Sequence, residues 1–231
     1  MRENLVLVPG LLCHHDLWRD QICAFEEDFN LIIFDHTRQD NLPDMVCDFL
    51  TDAPETFNLA GLSMGGYIAF EIMRQAAIRV KKLILLGTNA RADRLSQVQM
   101  REALITRAGE EDIRSIAEEL TEYLIHPSRL KDADLCERIL DMASDVGAEG
   151  FKRQQHALIQ RPDSRELLSG FTCPALIICG EEDILTPPKV HEEMVNLIAG
   201  SHYHPIANCG HLSSMECPEE VNELMRKFLE S

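Results

Sequence analysis

The 231-residue chain predicts an α/β fold: a doubly wound, six-stranded parallel sheet with helices on both faces and an all-helical insertion. Three observations carry this reading. Six short apolar runs rich in β-branched residues recur, each closed by a glycine or polar turn signal. Stretches with helical spacing lie between them, and that alternation builds a parallel sheet covered on both sides. The alternation breaks once, over residues 91–170, where helical stripes follow one another with no strand signal.

In chain order, the first run is 5–8, broken by Pro9-Gly10, and it reads as a strand. Residues 16–25 follow with Leu17, Ile22 and Phe25 at helical spacing, and the single tryptophan, Trp18, is expected to pack this helix on the sheet. A strand at 31–34 leads to a helix at 42–50 carrying Met45, Val46, Phe49 and Leu50. Strand 57–60, helix 67–77 and strand 82–86 come next. Continuous apolar runs of this length suit strands buried on both faces. In the insertion Ile113, Ile116, Ala117, Leu120 and Leu124 form one stripe, and Leu135, Ile139, Met142 and Val146 another. Strand 175–179, helix 189–198, a weaker strand at 203–206 and a helix at 218–229 complete the pattern. Val221, Leu224, Met225 and Phe228 line that last helix. The expected division is a core of 1–90 and 171–231 with a helical insertion at 91–170. The insertion lacks the Pro/Ser/Gly bias of a linker, so it is either a structural layer or a lid.

Charge narrows the partners. With 22 basic and 39 acidic residues the chain carries −17, a field that repels phosphate backbones and anionic headgroups. Neither a nucleic-acid partner nor a membrane is expected. A local basic pocket for a small anion remains compatible with that charge. Eight cysteines are scattered without a C-x-x-C pair, which fits a reducing compartment better than a disulfide framework. The run at 5–8 is too short for a signal segment, and no later stretch approaches a membrane span. The expectation is a cytoplasmic protein.

The strongest signal is Asn58-Leu59-Ala60-Gly61-Leu62-Ser63-Met64-Gly65-Gly66. It places G-x-S-x-G directly after a strand and before a helix, the context in which this motif makes a nucleophile elbow. A tight strand-to-helix turn projects the serine hydroxyl above the sheet, and Gly61 and Gly65 lack the Cβ atoms that would collide there. The helix opening at Met64 offers free N–H groups and the positive end of its dipole to a developing oxyanion.

A serine needs a base and a group that orients the base, in the chain order Ser…Asp…His for this elbow. Strand 175–179 runs into Gly180-Glu181-Glu182-Asp183, and the last strand leads into Cys209-Gly210-His211. Side chains at one edge of a parallel sheet converge from distant positions. Asp183 and His211 are the candidates. Glu181 and Glu182 are alternatives for the acid, and His202 and His204 for the base, although the last two flank a strand start. Val8-Pro9-Gly10-Leu11 ends the first strand in a glycine turn, and its Leu11 amide is the candidate partner of the Met64 amide in an oxyanion hole.

Together these motifs resemble the α/β-hydrolase superfamily over essentially the whole chain. They look closest to short bacterial members with a helical cap, similar to carboxylesterases, pimeloyl-ester esterases and C–C-bond hydrolases. The resemblance implies Ser63 as nucleophile, His211 as general base and acid, Asp183 as its orienter, and Leu11 and Met64 as oxyanion donors. It also implies 91–170 as the cap and six parallel strands, without the family's usual two leading ones. Pro9-Gly10 stands where the family usually has His-Gly, which alters that loop's hydrogen bonding but leaves the Leu11 amide. No P-loop, dinucleotide fingerprint or metal-ligand spacing is present, so no cofactor or metal is expected.

For the substrate, resemblance places 154–165 at the last cap helix and its return to the core. Arg153 and His156 are candidate substrate-binding residues, with Gln155 between them, facing a polar or anionic group; a solvated helix face is the alternative. Three functions follow: a serine hydrolase cleaving a small carboxylic ester or thioester through an acyl-enzyme, a C–C-bond hydrolase or lyase with the same triad, or a non-catalytic small-molecule sensor.

Overall fold

The computed structural model describes residues 2–231. Strand β1 (Glu3–Val8) leads through one 3-10 turn (His15–Trp18) into α1 (Arg19–Phe25), β2 (Phe29–Ile33) and α2 (Leu42–Asp52). Strand β3 (Phe57–Leu62), helix α3 (Met64–Ala76) and strand β4 (Val80–Leu86) follow. All six strands are parallel in the order β2-β1-β3-β4-β5-β6, where β5 is Ala175–Gly180 and β6 is His202–Ile206. The fold class is the one the sequence predicts.

The strand pleat explains why the fold is double-sided. Val6, Val8, Leu59, Leu83, Leu85 and Ile177 point to one face, where they pack with α2 and α3. Their neighbours Leu5, Leu7, Ala60, Ile84, Leu86 and Ile178 point to the other and meet Trp18, Phe25, Met225 and Phe228. The central strands β1, β3, β4 and β5 bury both faces, which is why their runs read as unbroken apolar stretches, whereas the edge strands β2 and β6 stay partly exposed. β3 continues to Leu62, past the predicted end at 60, because it is buried through to the turn.

Between β4 and β5 the chain forms α4 (Leu95–Arg107), α5 (Ile113–Leu124), α6 (Ala133–Gln160) and the single turn α7 (Arg165–Leu168). Ile113, Ile116, Ala117, Leu140, Ala143 and Phe151 make a small core of their own, and Leu12 of the β1 loop packs into it. Helix α6 is broken at Gly147, whose φ of 69° is open to glycine at little cost. Helix α4 buries no apolar side chain, so no stripe marks it in the sequence. Helices α8 (Pro188–Leu197), α9 (Ser213–Glu216) and α10 (Pro218–Glu230) return to the sheet, and α7 packs on α8. Among the described residues no helix is long and apolar enough to cross a membrane.

Replacing Trp18, fully buried, by alanine should lower unfolding free energy by about 3–5 kcal/mol. Ile78, 95% exposed, should tolerate serine within about 0.5 kcal/mol. Urea denaturation of the two variants measures the contrast, and equal losses would mean that Trp18 does not anchor this face.

Candidate active site

The turn at Ser63 is strained. Its backbone has φ 56° and ψ −114°, a region costing on the order of 1–3 kcal/mol for a residue with a Cβ. The turn is closed by Ser63 N–H donating to Leu86 O (2.9 Å) and Gly66 N–H to Ser63 O (2.9 Å). A Cβ on Gly65 would stand against the Val8 carbonyl, and one on Gly61 against the Gly65 carbonyl. Their absence lets α3 begin against the end of β1.

His211 Nε2 lies 2.8 Å from Ser63 Oγ, and His211 Nδ1 lies 2.8 Å from Asp183 Oδ2. With Nδ1–H donating to the carboxylate, Nε2 is left as acceptor for the serine hydroxyl. Asp183 is 2% exposed and accepts three further bonds, from Leu185 N (2.9 Å), Thr186 N (2.9 Å) and Thr186 Oγ1 (2.7 Å). Burial alone would raise its pKa, but the His211 charge and the bonds from His211 and Thr186 outweigh it and hold Asp183 below the ordinary carboxylate value.

The alternative acids and bases lie apart from this chain of contacts. Glu181 is exposed, and Glu182 turns to accept the Cys209 N–H (3.0 Å). His202 and His204 lie exposed on β6. Leu11 and Met64 border the same cavity as Ser63 and His211. The next amide, Leu12 N, is occupied by Gln154 Oε1 at 3.0 Å, whereas neither the Leu11 nor the Met64 N–H has a partner among the described residues.

Residues 53–218 match the family model described as alpha/beta hydrolase fold. The chain belongs to the α/β-hydrolase family. A 3-oxoadipate enol-lactonase of Acinetobacter baylyi is 24% identical over 239 residues, covering 98% of this chain and 88% of that one. A thermophilic esterase of Thermogutta terrifontis superposes with a TM-score of 0.89 at 28% identity, over 99% of this chain and 89% of the esterase. An enol-lactonase of Burkholderia xenovorans has a TM-score of 0.90 at 21% identity, over 100% and 92%, and shares the fold.

In this α/β-hydrolase a cavity of about 370 Å³ opens between the sheet edge and helices α4–α6, within the usual range for small-molecule sites. Leu104, Leu120, Ile139 and Leu158 give it apolar walls, with Gln97, Arg101 and Gln155 at polar points. A larger, open groove of about 930 Å³ between α7 and α8 is lined by paired charges such as Arg91–Glu193 and Arg165–Asp163 and holds no nucleophile. Cys13 also borders the active cavity. Burial pushes its thiol up to about 12, so it stays protonated.

Arg153 and His156 require a correction: neither borders the cavity. The register of α6 turns Gln154 and Gln155 inwards, both fully buried, while Arg153 Nε donates to Thr37 O (2.7 Å) and His156 faces solvent. Missed from sequence were the groups holding the loops. His36 ends its segment at the sheet edge, a position that could have marked it; it is buried and its Nε2 donates to Gly10 O (2.9 Å). Glu216 accepts from Gly210 N (3.1 Å), Leu212 N (3.2 Å) and His126 N (2.7 Å), and its burial raises its pKa. His191, fully buried, accepts the Thr88 N–H at Nε2 (3.0 Å), and Thr88 Oγ1 donates to Ser63 O (2.9 Å). Glu216 and His191 sit in helical stretches with nothing local to mark them. Among the described residues no cluster of three His, Cys, Asp or Glu is placed to hold a metal.

Two predictions follow from these supports. Glutamine at position 216 must set an NH2 against a backbone N–H, so Glu216→Gln should destabilise the protein by about 1–3 kcal/mol; unchanged urea denaturation would show that the three contacts carry no stability. Burial pushes His191 down to about 4. Between pH 6.5 and 4 the unfolded chain therefore binds a proton there that the folded one refuses, and stability falls as pH is lowered through that window. The loss is on the order of 3 kcal/mol, and buried His36, also lowered by burial, acts in the same direction. His191→Gln should flatten the difference in stability between pH 7.5 and 4.5, and an equally steep fall in the variant would contradict this account.

Proposed function

We propose that this α/β-hydrolase is a serine hydrolase that cleaves a small carboxylic ester or thioester through an acyl-enzyme. One observation carries the reading: the serine, imidazole and carboxylate stand in sequence at 2.8 Å and 2.8 Å on the wall of an enclosed cavity. His211 Nε2 takes the Ser63 proton as Oγ attacks the carbonyl carbon. Asp183, held ionised, steadies the imidazolium that forms and fixes its tautomer. The Leu11 and Met64 amides meet the oxyanion, helped by the dipole of α3. His211 then protonates the leaving alcohol or thiol, and the same groups, with water in place of serine, release the acid. The names of the relatives, an esterase and an enol-lactonase, point the same way.

Residues 1–90 and 171–231 act as the catalytic core and 91–170 as a cap that selects substrate. The reasoning is that every group of the mechanism lies outside that interval, while the apolar walls of the cavity come mainly from it.

A fluorophosphonate should add one covalent mass to the wild type and none to Ser63→Ala. Asp183→Asn should fold and lose roughly 10³–10⁴ in kcat with activated esters, and Glu182→Gln should lose far less. Labelling that survives in Ser63→Ala, or a greater loss in Glu182→Gln, would overturn the assignment.

A further inference from the structure

The polar end of the cavity is charged in a way that the mechanism does not use. Asp93 links two guanidiniums, accepting from Arg161 Nη2 at Oδ1 (2.6 Å) and from Arg101 Nε at Oδ2 (2.6 Å). The side chains are sequestered: Asp93 is 0%, Arg161 3% and Arg101 13% exposed. Burial would raise the Asp93 pKa, but the bonds from Arg161 and Arg101 hold it below the ordinary value. The cluster thus contains two cations and one anion.

The two arginines are not equally compensated. Arg161 lies over the Tyr67 ring at 4.3 Å and also donates to Leu158 O (2.9 Å) and Arg91 O (3.2 Å). The ring face and the carbonyls offset part of its charge. Arg101 has Asp93, which it shares, and one neutral acceptor, Gln155 Oε1, at 2.7 Å from Nη1. Its Nη2 has no partner among the described residues, and Arg101 borders the cavity that Ser63 borders. Gln155, fully buried and on the same wall, has an Nε2 with no acceptor. The cluster thus carries a surplus positive charge beside a buried amide NH2 without an acceptor, and an anion at this end of the cavity would offset both.

We propose that the cavity takes an ester bearing a free carboxylate, held by Arg101 with Gln155 beside it. This rests on the hydrolase reading and specifies its substrate class. The guanidinium fork matches a carboxylate in shape. The remaining walls, Leu104, Leu120, Ile139 and Leu158, fit the apolar chain between carboxylate and ester. The chain's net charge of −17 gives no general attraction for anions, so selection of one is the work of this local group.

The carboxylate can belong to the acyl or the alcohol portion, and two substrate pairs separate these. p-Nitrophenyl hydrogen glutarate against its methyl-capped diester reports the acyl side. The acetate ester of p-hydroxybenzoate against that of methyl p-hydroxybenzoate reports the alcohol side. The wild type should favour the anionic member of one pair by about tenfold or more in kcat/KM. In Arg101→Gln that ratio should collapse to about one, and Arg101→Lys, a charge without the fork, should fall between. Calorimetric titration of Ser63→Ala, with and without Arg101→Gln, using monomethyl glutarate against dimethyl glutarate and p-hydroxybenzoate against its methyl ester, reads the carboxylate site without turnover. If binding favours the anions and depends on Arg101 while no ester is cleaved, the hydrolase reading fails and the carboxylate site stands. If the esters are cleaved with the neutral member equal or preferred in both pairs, the site fails and the hydrolase stands. A loss in Arg101→Gln that is equal for anionic and neutral members would mean that the ion pair only braces α4, and would also overturn the proposal.

Discussion

The site is built from loops that helices have covered, and a covered loop must find partners for its own backbone. Strands β1, β3, β5 and β6 end at one sheet edge, and the chain segments leaving them have no ladder to pair with. Water would serve an open edge; under α4–α6 it is largely excluded, and an orphaned amide costs about as much as a lost hydrogen bond. Polar side chains do that work here, the buried Gln154, Asp183 and Glu216 and the exposed Glu182. Gln154 takes the Leu12 amide, Asp183 those of Leu185 and Thr186, Glu182 that of Cys209, and Glu216 those of Gly210, Leu212 and His126. Against that pattern of satisfaction, the Leu11 and Met64 amides stand out as the pair left open beside the serine.

Three buried carboxylates show how differently the same group is handled. Asp183 is compensated by an imidazole, a hydroxyl and two amides and is held ionised, which suits a partner that must stabilise positive charge on His211. Glu216 faces backbone dipoles alone with Arg129 at some remove, and burial prevails, raising its pKa. Asp93 faces two guanidiniums and is held low, yet leaves its cluster net positive. The number of full charges around each carboxylate sorts the three, since dipoles offset desolvation less completely than an ion pair does.

Much of this was legible in the sequence because it depends on local chemistry. The central runs are apolar on both faces, so they read as parallel strands, the sixth is weaker because β6 is a partly exposed edge strand, and the elbow needs glycines at fixed offsets from Ser63. Asp183 and His211 were marked by their positions at strand ends. The supports were not legible for the same physical reason: Glu216 and His191 act on backbone brought near only by folding, and their own neighbours in sequence are ordinary helix. Arg153 and His156 illustrate a different failure. A helical residue's direction changes by about 100° per position, so a reading with an uncertain register names a cluster of neighbours, of which only Gln155 borders the cavity. Arg101 was hidden because α4 presents its inward face to a cavity instead of a core, and a cavity wall need not be apolar.

The helices over the site are consequently not equivalent. α5 and α6 are bonded into the loops that carry His211 and Leu11: Leu124 O accepts the His211 and Leu212 amides at 3.0 and 3.1 Å, and Gln154 fixes Leu12, whose φ of 57° depends on such support. A shift of either helix moves the histidine or the oxyanion loop with it. α4 is different, because it buries no apolar side chain fully and reaches the rest of the site through the partly buried Leu104 and the contacts of Arg101 with Asp93 and Gln155. Its side chains can be exchanged without breaking a hydrogen bond to Ser63, His211 or the Leu11 loop. The placement of His211 and of the Leu11 loop is thus tied to α5 and α6, while α4 brings Gln97 and Arg101 to the cavity's far wall. That separation leaves the charge at one end of the cavity independent of the hydrogen bonds that place Ser63 and His211 at the other.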